Sequence, residues 1–335
     1  MNSLGKCLGE KFNKARHSDG FFVAASPPLQ SRACWQRYKP KTTQRGCMES
    51  ISILQRYMNL PKFMYLLQES ALFLPKMSIF EDHLEGGLTA RDYLSTSNDA
   101  PILDVAINGF WPIANEAIED RTRRLEQAES TRQELLLRTF ETPFGSYKCD
   151  DIERIFSRCR EWLYVSCWHK SPHECSAMWS LYGADNNSVC IFTTEEKLRN
   201  QVQPESSVNI ITFQDVKYLD HQSSCLDKNN LSPFTAKALP FSFEKELRII
   251  SYNPKTNLNV ATKNSSSGEK LSIKSLPQFI DKIVVSPKAD SWFFESIQKL
   301  CSAHGLNVEI KKSSLQVNRV ESLYEAYKQL QRNGS

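Results

Sequence analysis

Ile53-Leu54-Gln55-Arg56-Tyr57, followed by Asn59-Leu60-Pro61, is the stretch that decides the architecture of this chain. The first five residues read as a short strand, rich in β-formers. Asn59 and Leu60 before Pro61 then form a helix start, because proline suits the first turn, where its missing N–H has no partner to lose. Phe63, Leu66 and Leu67 lie at helical spacing through Glu69, and Leu72-Phe73-Leu74 reads as a second strand. An acidic loop, Phe80-Glu81-Asp82-His83-Leu84-Glu85, is ended by Gly86-Gly87.

Outward from this nucleus the pattern alternates. Residues 91–160 read as a helical insertion: Trp111, Ile113, Ala114, Ala117 and Ile118 recur at helical spacing, Arg121–Arg138 is a charged helix laced with Glu/Arg pairs, and Asp150–Trp162 continues as helix. Strands are expected at 162–168, 188–192, twice within 208–218, and at 243–252, with a short helix at 174–182 and a surface loop at 253–270. Residues 280–285, 290–304 and 307–311 read as a β-α-β unit whose helix begins at Asp290 and closes at Gly305. Residues 316–331 read as a terminal helix. The class is α+β. The expected organisation is a basic, flexible extension over 1–47, an α+β domain over 48–312 with its helical insertion, and a C-terminal helix and tail over 313–335.

Composition narrows the function classes. The chain has 335 residues and a net charge of +4, but residues 1–47 carry +7 and the remainder −3. A slightly acidic body does not advertise a nucleic-acid groove. No stretch approaches the ~18 consecutive apolar residues of a membrane helix, so no membrane partner is expected. Ten irregularly spaced cysteines do not make a small disulfide scaffold. They fit reduced thiols and a cytoplasmic location. Glycine-rich nucleotide loops, H-E-x-x-H and G-x-S-x-G are all missing from the sequence.

Four constellations could carry chemistry. Cys167-x-His169-x3-His173-x-Cys175 offers soft ligands, but its spacing departs from the usual zinc pairs, and no metal site is assigned. Glu244 and Glu246, two apart on an expected strand, share a face with Arg248. They are either an acid/base pair with one raised pKa or a solvated, paired face. Arg56-Tyr57 could clamp a phosphate or carboxylate, or pair with Glu81, Asp82 or Glu85. Trp179 and Tyr182 share a helix face and suit either core packing or stacking on a nicotinamide or base.

Taken together, Arg56-Tyr57, Leu72-Phe73-Leu74, Phe80–Gly86, Ser166-Cys167-Trp168, Met178-Trp179 with Tyr182, Phe243–Arg248 and Ile283–Ala289 resemble the bacterial family called domain of unknown function 2971, over about 50–312. His83-Leu84 stands where that family has an Asp-Pro-like pair. The order of strand with Arg, helix, strand, helical insertion, strand with Ser and strand with Glu-x-Glu is also similar to ADP-ribosyltransferases of the Arg/Ser/Glu type. That resemblance implies a split mixed sheet and NAD as substrate. It implies Arg56 on an NAD phosphate or ribose, Ser166 on the nicotinamide ribose, and Glu246 on the ribose 2′-hydroxyl and the oxocarbenium ion. Glu244 would activate the nucleophile, with Tyr57, Trp179 and Tyr182 completing the NAD site. Here Ser166 is followed by Cys167-Trp168 where that class has Ser-Thr-Ser. The implied reaction is transfer of ADP-ribose to a macromolecular acceptor, protein or nucleic acid, in the setting of a toxin or phage-defence effector. Two other classes stay open. One is a metal-dependent nucleic-acid-processing enzyme using the Glu pair with Glu81, Asp82 or Glu85. The other is a non-catalytic module that binds a partner through 91–160.

Overall fold

The computed structural model describes residues 52–80, 82, 85–183, 186–261, 263–316 and 324. The expected basic extension over 1–47 lies outside them, as does the terminal helix over 316–331 apart from residues 316 and 324. The described residues belong to one compact unit, Ser50–Ser335.

The opening stretch forms strand β1, Ile53–Asn59, and helix α1, Leu60–Glu69. The Asn59 side chain accepts the Lys62 N–H at 3.2 Å, supplying one of the partners that a helix N-terminus lacks. Helix α1 buries Phe63, Leu66 and Leu67 and ends at Ser70 in the left-handed region, φ 47°. Strand β2, Ala71–Pro75, follows. It does not rejoin β1. It pairs instead with Gly268–Ile273, which pairs in turn with Val202–Pro204.

Among the described residues the main sheet has seven strands, in the order Glu309–Lys312, Lys282–Val285, Ser188–Thr194, β1, Tyr164–Lys170, Glu246–Tyr252, Ile210–Asp215. The first two are parallel and joined by the helix Ser291–Ala303, as the β-α-β pattern predicts; the other neighbours are antiparallel. The fold is therefore a mixed α/β arrangement around a mixed sheet. One face packs Leu54, Met58, Trp168, Leu247 and Ile249 with Phe63 of α1, and the other packs Val165 and Ile250 against Ile155 of the helix Ile152–Trp162.

One junction in this sheet is short. β1 runs in register with Ser188–Thr194 over its whole length, from Ile53↔Thr194 to Asn59↔Ser188. Against Tyr164–Lys170 it pairs only at Leu54↔Lys170 and Gln55↔His169. Beyond Gln55 the two strands separate, and Tyr164 at the far end bridges to Lys76 instead. The unpaired edges leave an opening in the sheet.

Several expectations are corrected. Residues 111–117 are not helical: Trp111 has an extended backbone (ψ 139°), because Pro112 disfavours the helical region in the residue before it. The charged helix starts at Ile118 and ends at Leu137. A hairpin, Thr139–Thr142 with Gly145–Lys148, interrupts the region read as all helix. Gly268–Ile273 is a strand although its surroundings read as loop. A Cβ at Gly268 would overlap the Phe73 ring and the Leu74 carbonyl, so glycine is what lets this strand lie against β2. Glu244 is not on the strand with Glu246. It ends a 3₁₀ turn, Leu239–Glu244, and Lys245 at φ 42° swings the chain into the strand that begins at Glu246.

Candidate active site

The opening between β1 and Tyr164–Lys170 is a cleft of about 170 Å³, lined by Arg56 and Tyr57 on one lip and Ser166, Cys167, Trp168 and His169 on the other. Glu244, Glu246, Tyr182 and Lys62 close its ends. Strand alternation explains how such different residues meet. In register, Gln55, His169 and Glu246 lie side by side, as do Cys167 and Arg248, so these point to one face. Arg56, Ser166 and Trp168 belong to the opposite face. Only where the sheet is open do both sets border the same space. Of the residues singled out in the sequence, the structure brings Arg56, Tyr57, Ser166, Tyr182, Glu244 and Glu246 to the cleft. Trp179 sits behind it: 4% exposed, edge-on to the Tyr57 ring at 4.9 Å, its indole N–H donated to Glu174 at 3.0 Å.

Behind the cleft lies a buried charge network. Arg248, fully buried, donates from Nε to Glu246 at 2.7 Å, from Nη2 to Glu85 at 2.6 Å, and from Nη1 to the Phe234 carbonyl at 2.8 Å. Lys237 Nζ reaches Glu244 at 2.6 Å, Glu85 at 3.0 Å and Glu246 at 3.9 Å. Tyr182 donates its hydroxyl to the other Glu244 oxygen at 2.9 Å. Three carboxylates face two cations, so the network carries a net charge of −1 beside the cleft. Burial works to raise the Glu246 pKa, but Arg248, Cys167 and Lys237 together hold it below the ordinary carboxylate value. Glu246 thus stays ionised when desolvated, and its folded-state pKa lies below its unfolded one. Its contribution to stability is therefore present above the ordinary carboxylate pKa and is lost as pH falls through the depressed one.

Arg56 has the opposite character. Among the described residues it has no carboxylate partner; its guanidinium lies 5.6 Å from the Trp168 ring centroid. Burial lowers its pKa to about 10, against a smaller upward pull from Cys167. A partly desolvated cation with no carboxylate partner among the described residues costs stability and is suited to holding an anion. Arg56→Met is accordingly expected to leave the thermal midpoint unchanged or raise it, while weakening the binding of a probe anion such as pyrophosphate by about 10–100-fold, the worth of one or two hydrogen bonds to a charged group. Calorimetric titration and a melting curve on the same sample check both halves.

Tyr57, Ser166 and His169, which also line the cleft, are each held by hydrogen bonds. Tyr57 donates its hydroxyl to Gln55 at 2.7 Å and accepts the Cys175 N–H at 2.9 Å. The Ser166 hydroxyl accepts the Trp168 indole N–H at 3.1 Å and keeps its own proton to donate. His169 donates Nδ1–H to the Glu244 carbonyl at 2.5 Å, and burial keeps its pKa below the ordinary 6.5. A lowered folded pKa means the unfolded chain binds the extra proton first, so stability falls as pH drops below about 6.5. Chemical denaturation at pH 7.5 and 5.5 should show a smaller pH effect in His169→Gln than in the parent chain.

Glu85, Lys237 and Tyr218, which accepts the Glu246 N–H at 2.9 Å, complete the site. Glu85 was visible only as one acid of a loop. Lys237 and Tyr218 carry no sequence signal, since nothing local marks a buried lysine or a tyrosine that bonds a distant backbone. Among the described residues no group of three or more His, Cys, Asp or Glu is arranged to hold a metal ion. No described helix is long and apolar enough to cross a membrane.

The chain matches no protein-family model and no curated protein, so the likeness to domain of unknown function 2971 rests on the quoted residues alone. Among solved structures it is similar to Thermus sp. 2.9 DarT in complex with NAD+, at 8% identity and a TM-score of 0.32, over 80% of this chain and 98% of that one. It is similar in the same degree to Thermus sp. 2.9 DarT in complex with ADP-ribosylated ssDNA, at 6% identity and a TM-score of 0.32, over 80% and 96% of the two chains.

Proposed function

We propose that the cleft cleaves NAD and transfers ADP-ribose to a macromolecular acceptor. The observation that carries this reading is the meeting of Arg56, Ser166 and Glu246 in one opening of the sheet, with a cation that has no carboxylate partner among the described residues on one side and a net-negative network on the other. Breaking the bond between ribose C1′ and the nicotinamide nitrogen sends the bonding pair to the leaving nicotinamide and leaves positive charge on the ribose. A fixed, ionised carboxylate in a desolvated site stabilises that charge as it develops. Glu246 fills this role, Arg56 takes the diphosphate, and the Ser166 hydroxyl and Tyr182 ring border the nicotinamide ribose. The acceptor nucleophile then bonds to C1′ and gives its proton to Glu244.

The metal-dependent reading fits less well. Glu85, Glu244 and Glu246 converge, but Lys237 and Arg248 occupy the positions a divalent cation would take. Incubating the full chain with labelled NAD and a cell lysate tests the proposal. Released nicotinamide together with label on a protein or nucleic acid is expected. Intact NAD and an unlabelled lysate would overturn it.

A further inference from the structure

A second cavity of about 570 Å³ lies between β1, α1 and β2. Arg56, Lys62 and Pro75 line both it and the cleft. Otherwise its walls are mainly apolar: Tyr65, Leu72, Phe73 and Ile79 surround it. Tyr65 and Phe73 form an edge-to-face aromatic pair with centroids 6.1 Å apart. The cleft, at 170 Å³, falls below the roughly 300–1,000 Å³ of small-molecule sites, whereas this chamber lies inside that range. Two spaces of unlike polarity therefore share two cations, neither of them ion-paired to a carboxylate among the described residues.

We infer that the chamber takes the aromatic-base end of a dinucleotide whose diphosphate lies against Arg56 and Lys62, with the other ribose in the cleft. The inference rests on the proposed NAD reading for the identity of the ligand, but its geometry stands apart from the chemistry. An anionic link is what two cations at a junction select. A planar base is what an apolar chamber walled by an aromatic pair holds. Such a ligand passes through the opening of the sheet, with its reacting end on the Glu246 side and its base on the α1 side.

The test uses the full chain and three probes in calorimetric titrations: NAD, nicotinamide mononucleotide and AMP. Ile79 is 60% exposed, so Ile79→Trp fills the chamber with little cost to folding, which a melting curve checks. NAD and AMP should each weaken on the order of tenfold or more, the scale of a base–aromatic contact, while nicotinamide mononucleotide is unchanged. Tyr65→Ala should weaken the same two ligands by removing the wall. Equal weakening of nicotinamide mononucleotide, or no change for any probe, would overturn the inference. AMP binding that is lost in Ile79→Trp, from a chain that neither binds nicotinamide mononucleotide nor consumes NAD, supports the chamber and overturns the transferase reading. Absence of binding by all three probes overturns both.

Discussion

Glu246→Gln should cut NAD consumption by at least ~10²-fold, the cost of removing one preorganised charge from a water-excluded site, and leave the fold intact. The second half follows from the charge count. Glu85, Glu244 and Glu246 face Lys237 and Arg248; neutralising Glu246 leaves two carboxylates against two cations. Glutamine also keeps an oxygen for the Arg248 Nε–H. A thermal midpoint within a few degrees of the parent chain is expected, where each ~1 kcal/mol moves it by about 2–4 °C at this size. The variant should also lose less stability than the parent as pH falls through the acid range, because it lacks the depressed carboxylate. An unchanged rate of nicotinamide release would remove Glu246 from the reaction.

Arg248→Met should do the reverse and strike the fold first. Arg248 is fully buried and bonds Glu246, Glu85 and the Phe234 carbonyl. Burial alone would lower its pKa, yet its carboxylate neighbours, Glu246 foremost, hold it well above the ordinary arginine value. Removing it leaves three buried carboxylates with Lys237 alone. Breaking a buried ion pair from one side costs about 3–5 kcal/mol, a drop on the order of 10 °C in thermal midpoint. Adding Glu246→Leu to the variant should recover part of the loss, because the uncompensated charge is then gone. A thermal midpoint for Arg248→Met equal to that of the parent chain would show that the network does not hold this part of the sheet.

These two neighbours on one strand separate the demands on the site. Arg248 is needed for the carboxylates to be buried at all, and Glu246 is what their burial delivers to the cleft. Arg56 on the other lip has no carboxylate partner among the described residues, and under the proposed reading it is the group that meets the ligand's phosphates. The −1 network and the cation stand on opposite faces of the sheet, and they border one cleft because β1 and Tyr164–Lys170 part after two residue pairs.

Local chemistry was enough to place β1, α1 and β2, because Asn59-Leu60-Pro61 is a helix start wherever it sits and because Phe63, Leu66 and Leu67 can bury only one stripe. The β-α-β unit near the C-terminus was legible for the same reason. Sequence also marked Arg56, Ser166, Glu244 and Glu246 as candidates. It could not say that Glu244 leaves the strand, because a left-handed Lys245 is chosen by what surrounds the turn. Nor could it show that β2 turns away to a second sheet, that Trp179 lies behind Tyr57, or that Lys237 and Glu85 tie the carboxylates together. Periodicity and capping are settled within a few residues of chain, so the sequence by itself determined β1, α1, β2 and the C-terminal β-α-β unit, but not the hairpin Thr139–Thr142 with Gly145–Lys148 or the strand Gly268–Ile273. Strand pairing and the neutralisation of buried charge join residues distant in the chain, such as Gln55 with His169 and Arg248 with Glu85, so the cleft, its two faces and its charge balance were decided only in the tertiary structure.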